Sequence, residues 1–227
     1  MVDTACPSCG AELRFRSSVS IYTVCAYCGS MVVRSGLAVE AIGRMASLPE
    51  DISPLQIGTT LIHDNRHFTL LGRYRMGWAD GAWTEWFMDD GSTQGWLAHA
   101  QGFLSVAFEQ TLPPALAAAP WPALGDAITV NDRVCHVTDL KLATCIGSEG
   151  ELPFRAIPGR VVHYADMTGQ LAGFASLEES DDGRQLYAGV NVTFDELRFD
   201  NLRPIDGWAP PLLDALRAGD PQFPPHP

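Results

Sequence analysis

Gly58-Thr59-Thr60-Leu61-Ile62-His63-Asp64-Asn65-Arg66-His67-Phe68-Thr69-Leu70 is the stretch on which the fold turns. Two β-prone runs, 59–62 and 67–71, flank Asp64-Asn65-Arg66, a hairpin turn. The segment can be laid on Gly125-Asp126-Ala127-Ile128-Thr129-Val130-Asn131-Asp132-Arg133-Val134-Cys135-His136-Val137 at a constant offset over 13 positions. The glycine, the apolar positions (Leu61 with Ile128, Leu70 with Val137) and the turn ending in Arg all coincide. Any two hairpins look alike over a few residues, but a constant offset over this length suggests a duplicated small β unit. A looser match sets Thr84-Glu85, ahead of Asp90-Gly91, beside Leu177-Glu178, ahead of Asp182-Gly183, with a one-residue slip.

Outward from this hairpin the β pattern continues. Runs 82–88 and 94–98 flank Asp89-Asp90-Gly91-Ser92, and 103–108 follows Gly102, a β-meander. In the second unit, 161–164 reads as a strand, Asp166-Met167-Thr168-Gly169 as a turn, and 172–178 as a strand. Ser180-Asp181-Asp182-Gly183 then turns the chain into 186–192. The expected organisation is a zinc ribbon over 1–36, a linker over 37–54, a first β unit over 55–112, a Pro/Ala linker over 113–123, a second β unit over 124–203 and a Pro-rich tail over 204–227. Leu37, Ala38, Ala41, Ile42 and Met45 suggest one or two helical turns in the first linker, against which Gly43 counts. Leu212, Leu213 and Leu216 suggest another turn in the tail. The fold class is therefore mainly β: a ribbon followed by two related barrel-like or sandwich-like units.

Cys6-Pro7-Ser8-Cys9-Gly10 and Cys25-Ala26-Tyr27-Cys28-Gly29 read as C-x2-C-x15-C-x2-C, the spacing of a zinc ribbon. Each C-x2-C turn presents two thiolates, so Cys6, Cys9, Cys25 and Cys28 complete a tetrahedral site for Zn2+. Four protein sulfurs leave no open position, which makes the expected metal structural. Two disulfides are the alternative, disfavoured in a chain that begins without an export signal. The ribbon carries Arg14, Arg16 and Arg34 against Asp3 and Glu12, a formal +1. Four thiolates around a dication add about −2, so the arginines read as compensation rather than as a phosphate-binding face.

The rest of the chain carries −13 of a total of −12, and a body so acidic would repel nucleic acid. No apolar run reaches the roughly 18 residues of a membrane span, so the expected protein is cytoplasmic with no transmembrane segment. No dinucleotide fingerprint, phosphate loop, nucleophile elbow or H-E-x-x-H is present, and the reading is of a non-enzyme. Cys135 and Cys145 sit among apolar neighbours and read as core; Cys135 and His136, adjacent on a strand, point to opposite faces. His163 with Asp166 is an acid–base pair or a hydrogen-bonded turn. Trp78, Trp83, Trp86 and Trp96 crowd into 19 residues with Glu85. Trp83, Glu85 and Trp86, with Glu178 from the second unit, form a candidate site for an organic cation; packing of a barrel core is the competing account.

The cysteine pairs, Ser53-Pro54-Leu55-Gln56-Ile57-Gly58, Leu71-Gly72-Arg73-Tyr74, Trp83-Thr84-Glu85-Trp86, Asp90-Gly91 and Gly95-Trp96-Leu97 together resemble the bacterial domain-of-unknown-function 4178 family. The resemblance runs from Cys6 to about residue 200, is best over 53–109, and carries no catalytic residues. It implies a genomic setting beside polyamine enzymes and membrane-stress proteins. The leading expectation is thus a non-enzymatic zinc-containing adaptor or scaffold in an envelope-stress or polyamine-linked system, with a basic or membrane-associated protein partner. A sensor of a polyamine-type cation is the alternative, and a nucleic-acid-binding ribbon protein a further one.

Overall fold

The computed structural model describes residues 2–49, 52–169 and 173–205. The expected helical turn at Leu212, Leu213 and Leu216 lies outside the described residues. At the N-terminus, β1 (Val2–Ala5) pairs antiparallel with β2 (Glu12–Phe15). The strands β3 (Tyr22–Val24), β4 (Ser30–Ser35) and β5 (Ala38–Arg44) form a meander. β5 corrects the expectation of helical turns after residue 37. Gly36, at φ 61°, turns the chain back along the open edge of β4, and a helix there would leave that edge's N–H and C=O groups unpaired.

Beyond the ribbon come β6 (Thr60–His63), β7 (Arg66–Trp78), β8 (Gly81–Asp89), β9 (Gln94–Ala100) and β10 (Phe103–Gln110). A five-residue helix, α1 (Pro114–Ala118), sits in the Pro/Ala segment. Then follow β11 (Ala127–Val130), β12 (Arg133–Leu152), β13 (Val161–Thr168), β14 (Gly173–Ser180) and β15 (Gly183–Val192). β10 pairs with β15 and β7 with β12, which closes eight strands into a barrel in the order β7-β8-β9-β10-β15-β14-β13-β12. The two expected β units therefore share one sheet, four strands from each. A four-stranded meander exposes two edges, and joining two of them edge to edge removes all four.

The seams are tight. A Cβ on Gly189 would lie 1.7 Å from the Val106 carbonyl oxygen at the β10–β15 seam, and one on Gly72 would lie 2.1 Å from that of Glu151 near the β7–β12 seam. The 13-residue match also has the same backbone geometry in both halves. Asp64 and Asn65 (φ 48° and 59°) correspond to Asn131 and Asp132 (φ 49° and 61°), left-handed pairs that suit a two-residue hairpin turn. The Gly58 N–H donates to the Leu70 carbonyl and the Gly125 N–H to that of Val137, both at 2.8 Å. A bulge follows directly in each half, between Leu70 and Gly72 and between Val137 and Asp139. The looser match does not hold: Glu85 lies on β8, the second barrel strand of its half, while Glu178 lies on β14, the third of the other.

Alternation along the strands sorts the core into three layers. Inside the barrel, Met76, Phe87, Ala143 and Leu152 pack with Tyr22, Met31 and Val33 of the ribbon. On one outer face Phe68, Leu70, Trp86, Met88 and Leu97 are covered by Leu61 of β6 and by Leu197 and Phe199. On the other, Val137, Ala165, Met167, Ala175 and Leu177 lie beneath Val130 and Trp121. The remaining interior is open and lined by aromatic and charged side chains, and it holds the candidate site.

Candidate functional site

An interior cavity of about 170 Å³ occupies the part of the barrel that the apolar plug leaves free. Its walls are aromatic: Trp78, Trp83 and Trp96 with Tyr74, Tyr164 and Tyr187. Trp83 meets Tyr164 edge to face at 5.1 Å, and Tyr74 meets Trp96 the same way at 5.4 Å. Between the rings stand three carboxylates, Glu85, Asp166 and Glu178, and the single lysine of the chain, Lys141.

Each acid has a distinct setting. Asp166 accepts from the Ser176 hydroxyl at 2.8 Å and pairs with the Lys141 ammonium at 3.5 Å; that ammonium also pairs with Asp139 and lies 5.9 Å over the Trp78 ring. Glu85 accepts the Trp83 indole N–H at 2.6 Å. Burial nevertheless pushes the Glu85 carboxyl up to about 8, with the Asp166 charge adding to it. Burial raises Glu178 well above the carboxylate range, and the charges of Glu85 and Asp166 raise it further. The Tyr164 hydroxyl is buried in the same wall beside the Tyr74 hydroxyl, with no partner in good hydrogen-bond geometry among the described residues.

Of the residues singled out for a cation, Trp83, Glu85 and Glu178 come together in this cavity. Trp86 does not. It points to the opposite face of β8, fully buried in an outer core layer with the Arg73 guanidinium stacked 5.0 Å from its ring. His163 and Asp166 do not pair either: the histidine faces outward beside Trp121, and the aspartate faces in. The expected turn at Asp166 is strand, because Lys141 and Ser176 satisfy the carboxylate inside the barrel. Sequence reading did not bring Lys141, Tyr164 or Tyr187 to this site, and it set Asp166 beside His163 instead. Their signal was an inverted alternation. In Asp139-Leu140-Lys141-Leu142 the leucines are the exposed members, so a charge between them points inward.

The cysteine cluster is separate. The sulfurs of Cys6, Cys9, Cys25 and Cys28 all lie within 4.8 Å of one another, and Cys6–Cys28 and Cys9–Cys25 are each 3.8 Å apart. Such separations are too long for disulfides, whose sulfurs are bonded at about 2.05 Å. They match the ~3.8 Å edge of a tetrahedron with ~2.3 Å metal–sulfur bonds, so the set can hold a metal ion. The two knuckles are alike: Gly10 and Gly29 each return an N–H to the first cysteine's carbonyl at 2.8 Å, with φ of 77° and 70°. The Ser30 hydroxyl lies 3.1 Å from the Cys28 sulfur, and its hydrogen bond leads the groups that pull that thiol down to about 6. Cys135 and Cys145 are buried elsewhere, and burial raises both thiols.

A closed eight-stranded barrel with a charged, aromatic cavity and a four-cysteine ribbon defines the class of molecule. Residues 56–194 match the family model described as Domain of unknown function (DUF4178), and the chain belongs to that family. No curated protein and no solved structure matches it. No helix among the described residues is long and apolar enough to cross a membrane.

Proposed function

We propose that this protein is a non-catalytic binding module whose barrel interior takes a small organic cation, with a zinc ion held structurally in the ribbon. The observation that carries the reading is the set of titratable groups in an aromatic cavity: three carboxyl groups stand with one lysine, and that lysine is already paired. An ammonium group entering there displaces the proton of a raised carboxyl, pairs with the carboxylate so formed, and gains contact with the ring faces. It also offers N–H donors to the Tyr164 oxygen, which the neighbouring Tyr74 does not meet in good hydrogen-bond geometry. The adaptor reading rests on a closed metal site, β units without a convergent catalytic set and the acidic charge of the chain, and it names no site, so the cation reading is the more specific. Zinc is supported by four thiolates with no other donor among them, a soft set typical of closed structural sites. We further infer that the barrel arose by internal duplication, supported by the recurring turn, glycine and bulge of its halves.

Isothermal titration of the full-length protein with n-butylamine, 1,4-diaminobutane and spermidine at physiological salt tests the function. At least one amine is expected to give saturable heat that weakens about tenfold or more in the Glu85→Gln variant. No saturable heat with any of them would dispose of the cation reading.

A further inference from the structure

We infer that the cavity is built for a short α,ω-diamine, one ammonium at Glu85 and the other at Glu178. This rests on the cation reading above and narrows it to a ligand of defined charge and length.

The two carboxylates are the ones left without a cationic partner inside the barrel. Asp166 is held by Lys141 and Ser176. Arg160, whose charge acts on Glu178, is itself engaged by Asp182, Ser180 and the Phe154 ring. Each ammonium that enters can displace the proton of Glu85 or Glu178, so a dication forms two ion pairs where a monocation forms one and leaves the other carboxyl protonated.

Their positions suit the two ends of one molecule. In the closed order β7-β8-β9-β10-β15-β14-β13-β12, Glu85 on β8 and Glu178 on β14 are four strands apart in either direction. They are thus on opposite walls, with the cavity between them. The Tyr164 hydroxyl belongs to the Glu178 wall, since Tyr164 is that residue's register partner on β13. Trp83 bonds Glu85 and meets the Tyr164 ring at 5.1 Å, so its indole lines the space between the two walls. Between the ends the walls are tryptophan and tyrosine rings, suited to a chain of methylenes.

Volume sets the length. A cavity of about 150 Å³ accommodates benzene, with its six heavy atoms. The 170 Å³ here therefore takes about six to eight heavy atoms, which a four- or five-carbon diamine supplies and a longer polyamine exceeds.

The test is a ligand series titrated into the intact protein: n-butylamine, n-pentylamine, 1,4-diaminobutane, 1,5-diaminopentane and spermine. The diamines are expected to bind about tenfold or more tightly than the monoamines of equal carbon number. Glu85→Gln and Glu178→Gln should each bring that ratio close to one, with circular dichroism and melting used to confirm the fold of each variant. The wild-type series decides the matter even if a variant fails to fold. Equal binding of monoamines and diamines would overturn the diamine assignment and leave the cation reading standing. Spermine binding as tightly as 1,4-diaminobutane would overturn the length limit. No binding by any amine would sink both.

Discussion

At the level of single residues, the interior acids put a pH signature on stability. Glu85 titrates near 8 in the folded barrel against 4.5 for an ordinary glutamate, because burial penalises its charged form. A raised carboxyl means that the fold holds its proton after the unfolded chain has released it. Its contribution is complete below the unfolded value and is lost as pH climbs through the folded one. Glu178 shifts in the same direction. Urea midpoints of the ligand-free protein should therefore fall between about pH 5 and pH 8, by roughly 3 kcal/mol of stability. Glu85→Gln should flatten that slope, and a profile that rises across this window would contradict the buried-acid account. Part of this chemistry was legible in the sequence: Trp83 and Glu85 two apart on one strand had to share a face. Trp86 was misassigned although the same rule places it opposite, since composition alone made all four tryptophans look like one cluster. Lys141 and Asp166 were not placed in the lumen because apolar neighbours ordinarily face inward, whereas here Leu140 and Leu142 are the exposed members of β12.

At the level of elements, the ribbon is more than an appendage. β3 pairs with the end of β12 through Val24 with Gly150, Thr23 with Glu151 and Tyr22 with Leu152. The buried Glu151 carboxylate accepts the N–H groups of Arg16 at 2.7 Å and Ser17 at 3.3 Å, which fastens the loop ahead of β3. Tyr22, Met31 and Val33 then fill one part of the barrel interior. A module of this size has little core of its own, so a metal ion held by the four cysteines would supply much of its folding free energy. Chelation, or Cys25→Ser, is thus expected to lower the melting temperature of the whole protein by about 5 °C or more and to expose the Tyr22 side of the barrel. Elemental analysis should give one zinc per chain before treatment. A melting curve indifferent to chelator would argue against a load shared between ribbon and barrel. The cysteine spacing announced this module plainly. The extra strand β5 was not legible, because its residues suit a helix locally and only the waiting edge of β4 turns them into a strand.

For the molecule as a whole, closure depends on two seams. Gly189→Ala would push a methyl group into the Val106 carbonyl, and neither strand can yield without parting β10 from β15. A loss of about 3 kcal/mol or more is expected by chemical denaturation, with weakened amine binding as the lumen opens. A neutral substitution would show that this seam is looser than its geometry. The strand pattern and the two alike hairpins were readable in the chain, but the joining of the meanders was not. Nothing local states that two meanders will complete each other; that follows from the energetic cost of open edges.

The outer shells of the halves share their turn, glycine and bulge, yet the linings differ. Carrying the register inward sets Tyr74 of one half in the place of Lys141 in the other, and Glu85 in the place of Tyr164. Ala98 likewise stands where the other half has Glu178. A near-symmetric container thus encloses an asymmetric lumen. A guest with two unlike ends would be held one way round, and handedness of fit is set by side chains that the strand scaffold leaves free to vary.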